Sequence, residues 1–255
     1  MNKQLAGTLF IFCGNKFDYN YKEAIQCLLE FCDYVIVAAG GDDNTYRDVS
    51  FIGSRNYYKM KVIHITQEHW DSQHGQEKLN YFTNVCIEEA ERMGYEYQFN
   101  LQADECLVEK SYPEILKAMS TGAEGFLVKR INLWQDCYHQ LDVPQERKPC
   151  STAIVRLAKT NYRSYSDAES VAVPYADSYF YEGIKMFHYG FVRKKEVMKA
   201  KIINMQCNVF EMADHDAKLN DCEVFDSTLW FKDEDLKIIE SPHPKIMNEW
   251  IKTRP

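Results

Sequence analysis

The chain has 255 residues, 45% hydrophobic and 27% charged, with a formal net charge of −8. That is apolar material for one large α/β domain or two modest ones. The negative balance disfavours sequence-independent binding to phosphate backbones, and no run approaches the roughly 18 apolar residues of a membrane span.

The N-terminus leads into an apolar stretch of only Leu9 to Cys13, too short for a signal-peptide core. The nine cysteines include no C-x-x-C pair. Cytoplasmic location and reduced, buried thiols at Cys13, Cys27, Cys32 and Cys86 are the expectation. Thr8 to Cys13 is a continuous apolar run, as in a strand buried on both faces. Asn20 to Glu23 reads as a capping box, opening a helix whose apolar face is Tyr21, Ile25, Leu28, Leu29 and Cys32. Tyr34 to Ala38 is a second strand ended by Gly40-Gly41, and Val62 to Ile65 a third.

A long helix is expected over Gln76 to Met93, with the stripe Leu79, Phe82, Cys86, Ala90 and Met93 and a cap at Gly94. Tyr97 to Leu101 is a fourth strand, running into Gln102-Ala103-Asp104-Glu105. Ser111 to Glu114 is a second capping box, before a helix that stops near Gly122. This alternation predicts an α/β fold with a mostly parallel central sheet and helices on both faces. Beyond it the pattern is less regular. Gly125 to Val128 and Ala153 to Leu157 read as strands, and the stripe Met198, Ile202, Met205, Val209 and Met212 as a core-facing helix. Ser241 to Pro244 opens a short last helix. No linker divides the chain, so residues 1–255 are expected to form one domain, with a nucleotide-binding half (1–110) and a smaller, irregular acceptor-side half (111–255).

Acids at a strand's carboxyl end face the crevice where open α/β sheets bind ligands. Oxygen ligands there suit Mg²⁺ or Mn²⁺, and such an ion assists departure of a diphosphate as a Lewis acid. As a crevice-facing ligand, Asp104 should accept Asn with little loss of stability.

The order strand, helix, strand-Gly-Gly-Asp-Asp-Asn-Thr, strand, long helix, strand-Gln-Ala-Asp-Glu resembles the GT-A fold glycosyltransferases of the family-two-like group. Asp43 and Thr45 match the last Asp and Thr of that family's second-strand motif, while Ala38 and Ala39 stand where its first acids would be. Asn84 matches half of an Arg-Asn pair on the long helix, Thr83 does not, and Lys78 could supply the missing charge. Gln102 to Asp104 is an Asp-x-Asp motif with its first acid replaced by an amide. The resemblance implies Asp104 and Glu105 as metal ligands, Gln102 on the ribose, and Cys13, Asp43, Lys78 and Asn84 around the nucleotide. Phe187-His188-Tyr189-Gly190-Phe191-Val192-Arg193 is similar to a segment of related enzymes, implying His188 as a further ligand and Arg193 on the diphosphate. Imidazole favours Mn²⁺ over Mg²⁺.

A metal-dependent transfer from a UDP- or GDP-sugar to an unidentified acceptor is therefore expected, with inversion. Its general base would come from Asp167, Glu169, Asp177 and Glu182, of which Glu182 ranks first and Asp177 second. Trp134, Tyr138, Tyr175, Tyr179 and Tyr181 could form a sugar platform. His74, His139, His215 and His243 lack metal-like spacing. The absence of G-x-x-x-x-G-K-[ST] and G-x-G-x-x-G excludes a P-loop enzyme and a dinucleotide-binding dehydrogenase. A nucleotidyltransferase, and an inactive sugar- or partner-binding module, are the alternatives. Gln102, Ala38 and Ala39 speak for the second.

Overall fold

The computed structural model describes residues 4–214, 217–220 and 222–254; His215 lies outside them. The elements follow in the order β1 (Leu5–Phe12), α1 (Tyr21–Phe31), β2 (Tyr34–Gly40), α2 (Thr45–Arg55) and β3 (Met60–Ile65). Next come α3 (Gln67–Asp71), α4 (Glu77–Arg92), β4 (Tyr97–Gln102), β5 (Glu105–Leu107) and α5 (Tyr112–Ser120). The remainder holds β6 (Gly125–Trp134), β7 (His139–Leu141), β8 (Ala153–Lys159), the short hairpin β9 (Ser164–Tyr165) and β10 (Ser170–Val171), β11 (Lys185–Phe191), α6 (Lys195–Ile203), β12 (Leu236–Ile238) and α7 (Asn248–Ile251).

One ten-stranded sheet carries the molecule, in the order β12-β7-β6-β8-β4-β1-β2-β3, with β11 joining β6 to β5. β3, β2, β1 and β4 are mutually parallel, and β8 enters antiparallel beside β4. Seven of the ten strands run one way; β5, β7 and β8 oppose them. This is the α/β, mostly parallel arrangement expected from the sequence, with the irregular part confined to the second half.

Strand alternation explains the two helical layers. Leu5, Leu9, Ile11, Val35, Val37 and Ala39 pack with α1 on one face. The intervening Ala6, Phe10, Ile36 and Ala38 pack with Phe82, Cys86 and Ala90 of α4 on the other. Successive side chains of a strand point to opposite faces, so a run apolar at every position needs cover on both sides.

Several local expectations fail for traceable reasons. Neither capping box forms. The Asn20 amide turns inward to the sulfurs of Cys106 and Met247, at 3.8 and 3.9 Å. Ser111 Oγ instead accepts from the Lys185 N–H and donates to its carbonyl, stitching α5 to β11. The stripe from Met198 to Met212 is not a continuous core helix. α6 ends at Ile203, a wider-wound turn covers Asn204–Val209, and Met212 is exposed. None of the nine cysteines is in a disulfide and six are buried, and no helix among the described residues is long and apolar enough to cross a membrane.

Candidate active site

A cavity of about 860 Å³ opens beyond the carboxyl ends of β1 and β4. That is where an open α/β sheet leaves room, because the strand ends diverge from the loops that leave them. Phe12 and Trp70, stacked at 4.2 Å, form an apolar wall, and the ammonium of Lys78 lies 5.4 Å over the Trp70 ring. Asp104 lies at the floor, at the turn between β4 and β5. α6 and the turn after it contribute Met198, Lys201, Ile202 and Met205 as a roof. The methionine stripe read as core is thus a cavity wall, a use to which flexible, polarizable side chains are suited.

Asp104 is buried, and its Oδ2 accepts from Arg193 at 3.3 Å and from Lys201 at 3.2 Å. Burial opposes its charge, but the neighbouring Lys201 and Arg193 cations outweigh that and hold the carboxyl well below its usual range. Lys201 is itself drawn down to about 8 by burial and the adjacent Arg193, against the pull of Asp104. Its ammonium also donates to the Gly190 carbonyl at 3.0 Å. The other oxygen, Oδ1, stands 3.7 Å from His188 Nε2. Burial pushes the His188 imidazole well below its ordinary range, so the ring is neutral.

Those two atoms fit a divalent cation. A carboxylate oxygen and a neutral imidazole nitrogen face each other across a gap on the cavity wall. Gly190 keeps the nitrogen accessible, since a Cβ there would lie 2.2 Å from Nε2. Among the described residues no cluster of three or more His, Cys, Asp or Glu side chains converges for a metal. Two protein ligands, completed by phosphate oxygens and water, is the pattern of ions held jointly with a substrate.

Of the residues singled out in the sequence, Cys13, Lys78, Gln102, Asp104 and His188 line this cavity. The Cys13 thiol donates a hydrogen bond to Asp42 at 3.2 Å and is pushed up to about 12, chiefly by burial, so it packs rather than reacts. Arg193 stands behind Asp104, where it also donates to the Phe17 carbonyl at 2.8 Å. It orients the acid and is not on the cavity wall.

Five other residues singled out in the sequence, besides Arg193, do not line the cavity. Glu105 is fully buried in β5, turned away from the cavity, where it meets Arg130 at 3.3 Å and Arg156 at 2.8 Å. Asp104 is held in the turn by Arg193 and Lys201 and Glu105 in the strand by Arg130 and Arg156, so the two carboxylates do not converge on one ligand. Asp43 caps the loop before α2 by accepting from the Lys16 and Thr45 N–H groups, and its neighbour Asp42 lines the cavity. Asn84 clamps the β9 hairpin to α4 through both backbone groups of Ser164. Glu182 is an exposed acid paired with Lys129 and Lys185. Asp177 accepts from the Tyr179 N–H at 2.7 Å and bridges to Phe126, away from the cavity. The acid on the acceptor side that does line it is Asp167. The expected sugar platform also dissolves. Trp134 is buried among Phe191, Phe225 and Phe231, while Tyr138, Tyr175 and Tyr179 are exposed elsewhere and Tyr181 stands off the cavity beside Lys129.

Lys201, Asn132 and Trp70 were not legible as site residues. Lys201 sits 97 positions from the acid it pairs with, and no spacing rule connects them.

No protein-family model matches the chain, and no curated protein matches it. Solved structures that align with the chain include Staphylococcus aureus TarS 1–349 in complex with UDP, at 11% identity and a TM-score of 0.45, covering 85% of this chain and 68% of that one. A second TarS 1–349 structure aligns at 14% identity and a TM-score of 0.42, over 62% of this chain and 47% of that one. The chain therefore spans about half of that protein's length in the second alignment. A Bacillus anthracis protein described provisionally as a glucose-1-phosphate thymidylyltransferase, in complex with sucrose, aligns at 11% identity and a TM-score of 0.38, over 73% of each chain. At such identities and TM-scores these likenesses carry no functional argument, and the reading below rests on the cavity's own residues.

Proposed function

We propose that the chain is a glycosyltransferase that takes its sugar from a UDP- or GDP-sugar with the help of Mn²⁺ or Mg²⁺. The observation that carries this is the pairing of Asp104 Oδ1 with His188 Nε2 at 3.7 Å on the floor of a cavity lined by Lys16, Lys78 and Lys201. Asp104 and His188 would hold the cation, and the imidazole ligand favours Mn²⁺. A bound cation would supply Lewis-acid neutralisation of the charge that develops on the departing diphosphate.

The protein's own groups do the rest. The Phe12–Trp70 wall offers a flat apolar surface for the base, and Lys78, 9% exposed at its side chain, offers a fixed positive charge beside it. Gln102 offers an amide to a ribose hydroxyl. Asp167 takes the acceptor's proton as the acceptor oxygen bonds to the sugar's anomeric carbon. The bond from that carbon to phosphate breaks, and its electron pair leaves on the nucleoside diphosphate, giving inversion.

The test is a panel of UDP- and GDP-sugars with Mn²⁺, reading nucleoside diphosphate release. One donor should be turned over, and Asp167→Asn should lower kcat by about 10²–10⁴-fold with nucleotide affinity nearly kept. Undiminished kcat in that variant removes Asp167 from the role. Nucleotide binding without turnover of any donor would instead favour a binding module.

A further inference from the structure

We propose that Asn132 is a positioning residue that keeps a ring proton of His188 on Nδ1, so that the neutral ring turns the electron pair of Nε2 toward the cavity. This deepens, and rests on, the cation reading of Asp104 and His188.

The argument starts from two backbone carbonyls that can only accept. The Asn132 Nδ2 lies 3.1 Å from the Cys150 carbonyl and 3.4 Å from that of Ser151. Reversing the amide would set its oxygen against both, so the NH₂ end is fixed there and Oδ1 is fixed on the other side. Oδ1 is 3.0 Å from His188 Nδ1. An amide oxygen cannot donate, so Nδ1 must, and a neutral imidazole with its proton on Nδ1 bears a lone pair on Nε2. Asn132 and His188 are register partners on β6 and β11, so the backbone ladder holds the pair in place. Both side chains are buried, and water cannot substitute freely for either partner.

The consequence falls on Nε2. The 3.7 Å between Nε2 and Asp104 Oδ1 is too long for a hydrogen bond, so no proton on Nε2 ties the two groups together. With Nε2 bare, two acceptors confront each other and the gap favours a cation. An outer hydrogen bond that fixes the tautomer of a ligating histidine is worth about 10–100-fold in metal affinity.

Two measurements test this on the full chain. In metal-free protein, the nitrogen shifts of His188 report which nitrogen bears the proton. Mn²⁺ binding is measured by titration calorimetry with and without UDP, for wild type, Asn132→Leu and the milder Asn132→Ser. The wild type should show a protonated Nδ1 and bare Nε2. Both variants should show a mixed population, and Mn²⁺ affinity lower by about 10–100-fold. A wild-type proton on Nε2 overturns the inference without any variant having to fold. So do variants that keep both the tautomer and the affinity. A wild type with the proton on Nδ1 that binds no Mn²⁺, with or without UDP, overturns the cation reading and the ligand role of Nε2 together.

Discussion

Glu105 balances two guanidinium groups, Arg130 and Arg156, with no exposure to solvent, and its second oxygen accepts from the Gln102 N–H at 2.9 Å. Arg130 reaches on to Glu169, which in turn holds Ser151, while Arg156 also donates to the Ala168 carbonyl at 3.1 Å. This buried network fixes the segment that presents Asp167. Removing the Glu105 charge leaves Arg156 buried without an acid and Arg130 with Glu169 alone, so Glu105→Gln should cost about 3–5 kcal/mol, read from urea unfolding. A change below 1 kcal/mol would mean the network is looser than its distances imply. Asp104→Asn should cost stability too, about 2–3 kcal/mol, because Lys201 and Arg193 lose their shared acceptor. Its assays must be normalised to folded protein, contrary to the neutral substitution expected from sequence. The contrast between the two acids comes from the turn after β4, which leaves Asp104 at the cavity and begins β5 at Glu105. The partners of the two acids were not legible in the sequence, because Arg130, Arg156, Arg193 and Lys201 lie 25, 51, 89 and 97 positions from the acids they meet.

At the scale of elements, the roof and the edge of the sheet behave differently. Glu211 follows the roof turn and meets His74 at 3.4 Å and Lys78 at 3.9 Å, latching the roof to the approach of α4. Loss of this latch frees the roof over the cavity, so Glu211→Gln should speed nucleotide dissociation by about two- to fivefold in stopped-flow. An unchanged off-rate would dismiss the latch. On the sheet edge, Lys61 of β3 ties to Glu89 of α4 at 2.8 Å. Arg92's hydrogen bonds, joined by Lys61 and opposed by burial, hold the Glu89 carboxyl down at about 2, against an ordinary 4.5. A depressed carboxyl stabilises the fold above its unfolded value, and that contribution drains as pH falls from 4.5 through about 2. Wild type should exceed Glu89→Gln by about 1 kcal/mol near neutrality, with the gap closing over that window. A gap constant with pH would contradict the sign. α4 itself was readable because its buried stripe repeats at helical spacing. The Asn204–Val209 turn was not, because its apolar spacing fits a core helix equally well and only packing reveals that it faces a cavity.

Across the whole molecule, the first four strands and their helices follow from periodicity, and the crevice at their ends follows from topology. The antiparallel half was harder, since β5, β7, β9, β10 and β12 are two or three residues long and too short to show a period. The account's central claim is that this crevice binds a nucleoside diphosphate through a cation on Asp104 and His188. The most direct measurement is calorimetric titration of UDP and GDP into the protein, with Mn²⁺ and after chelation, for wild type and folded His188→Gln. The account predicts saturable binding of one nucleotide that weakens by at least about tenfold without Mn²⁺ or without His188. Binding of neither nucleotide to the folded protein, or binding indifferent to both Mn²⁺ and His188, would contradict it.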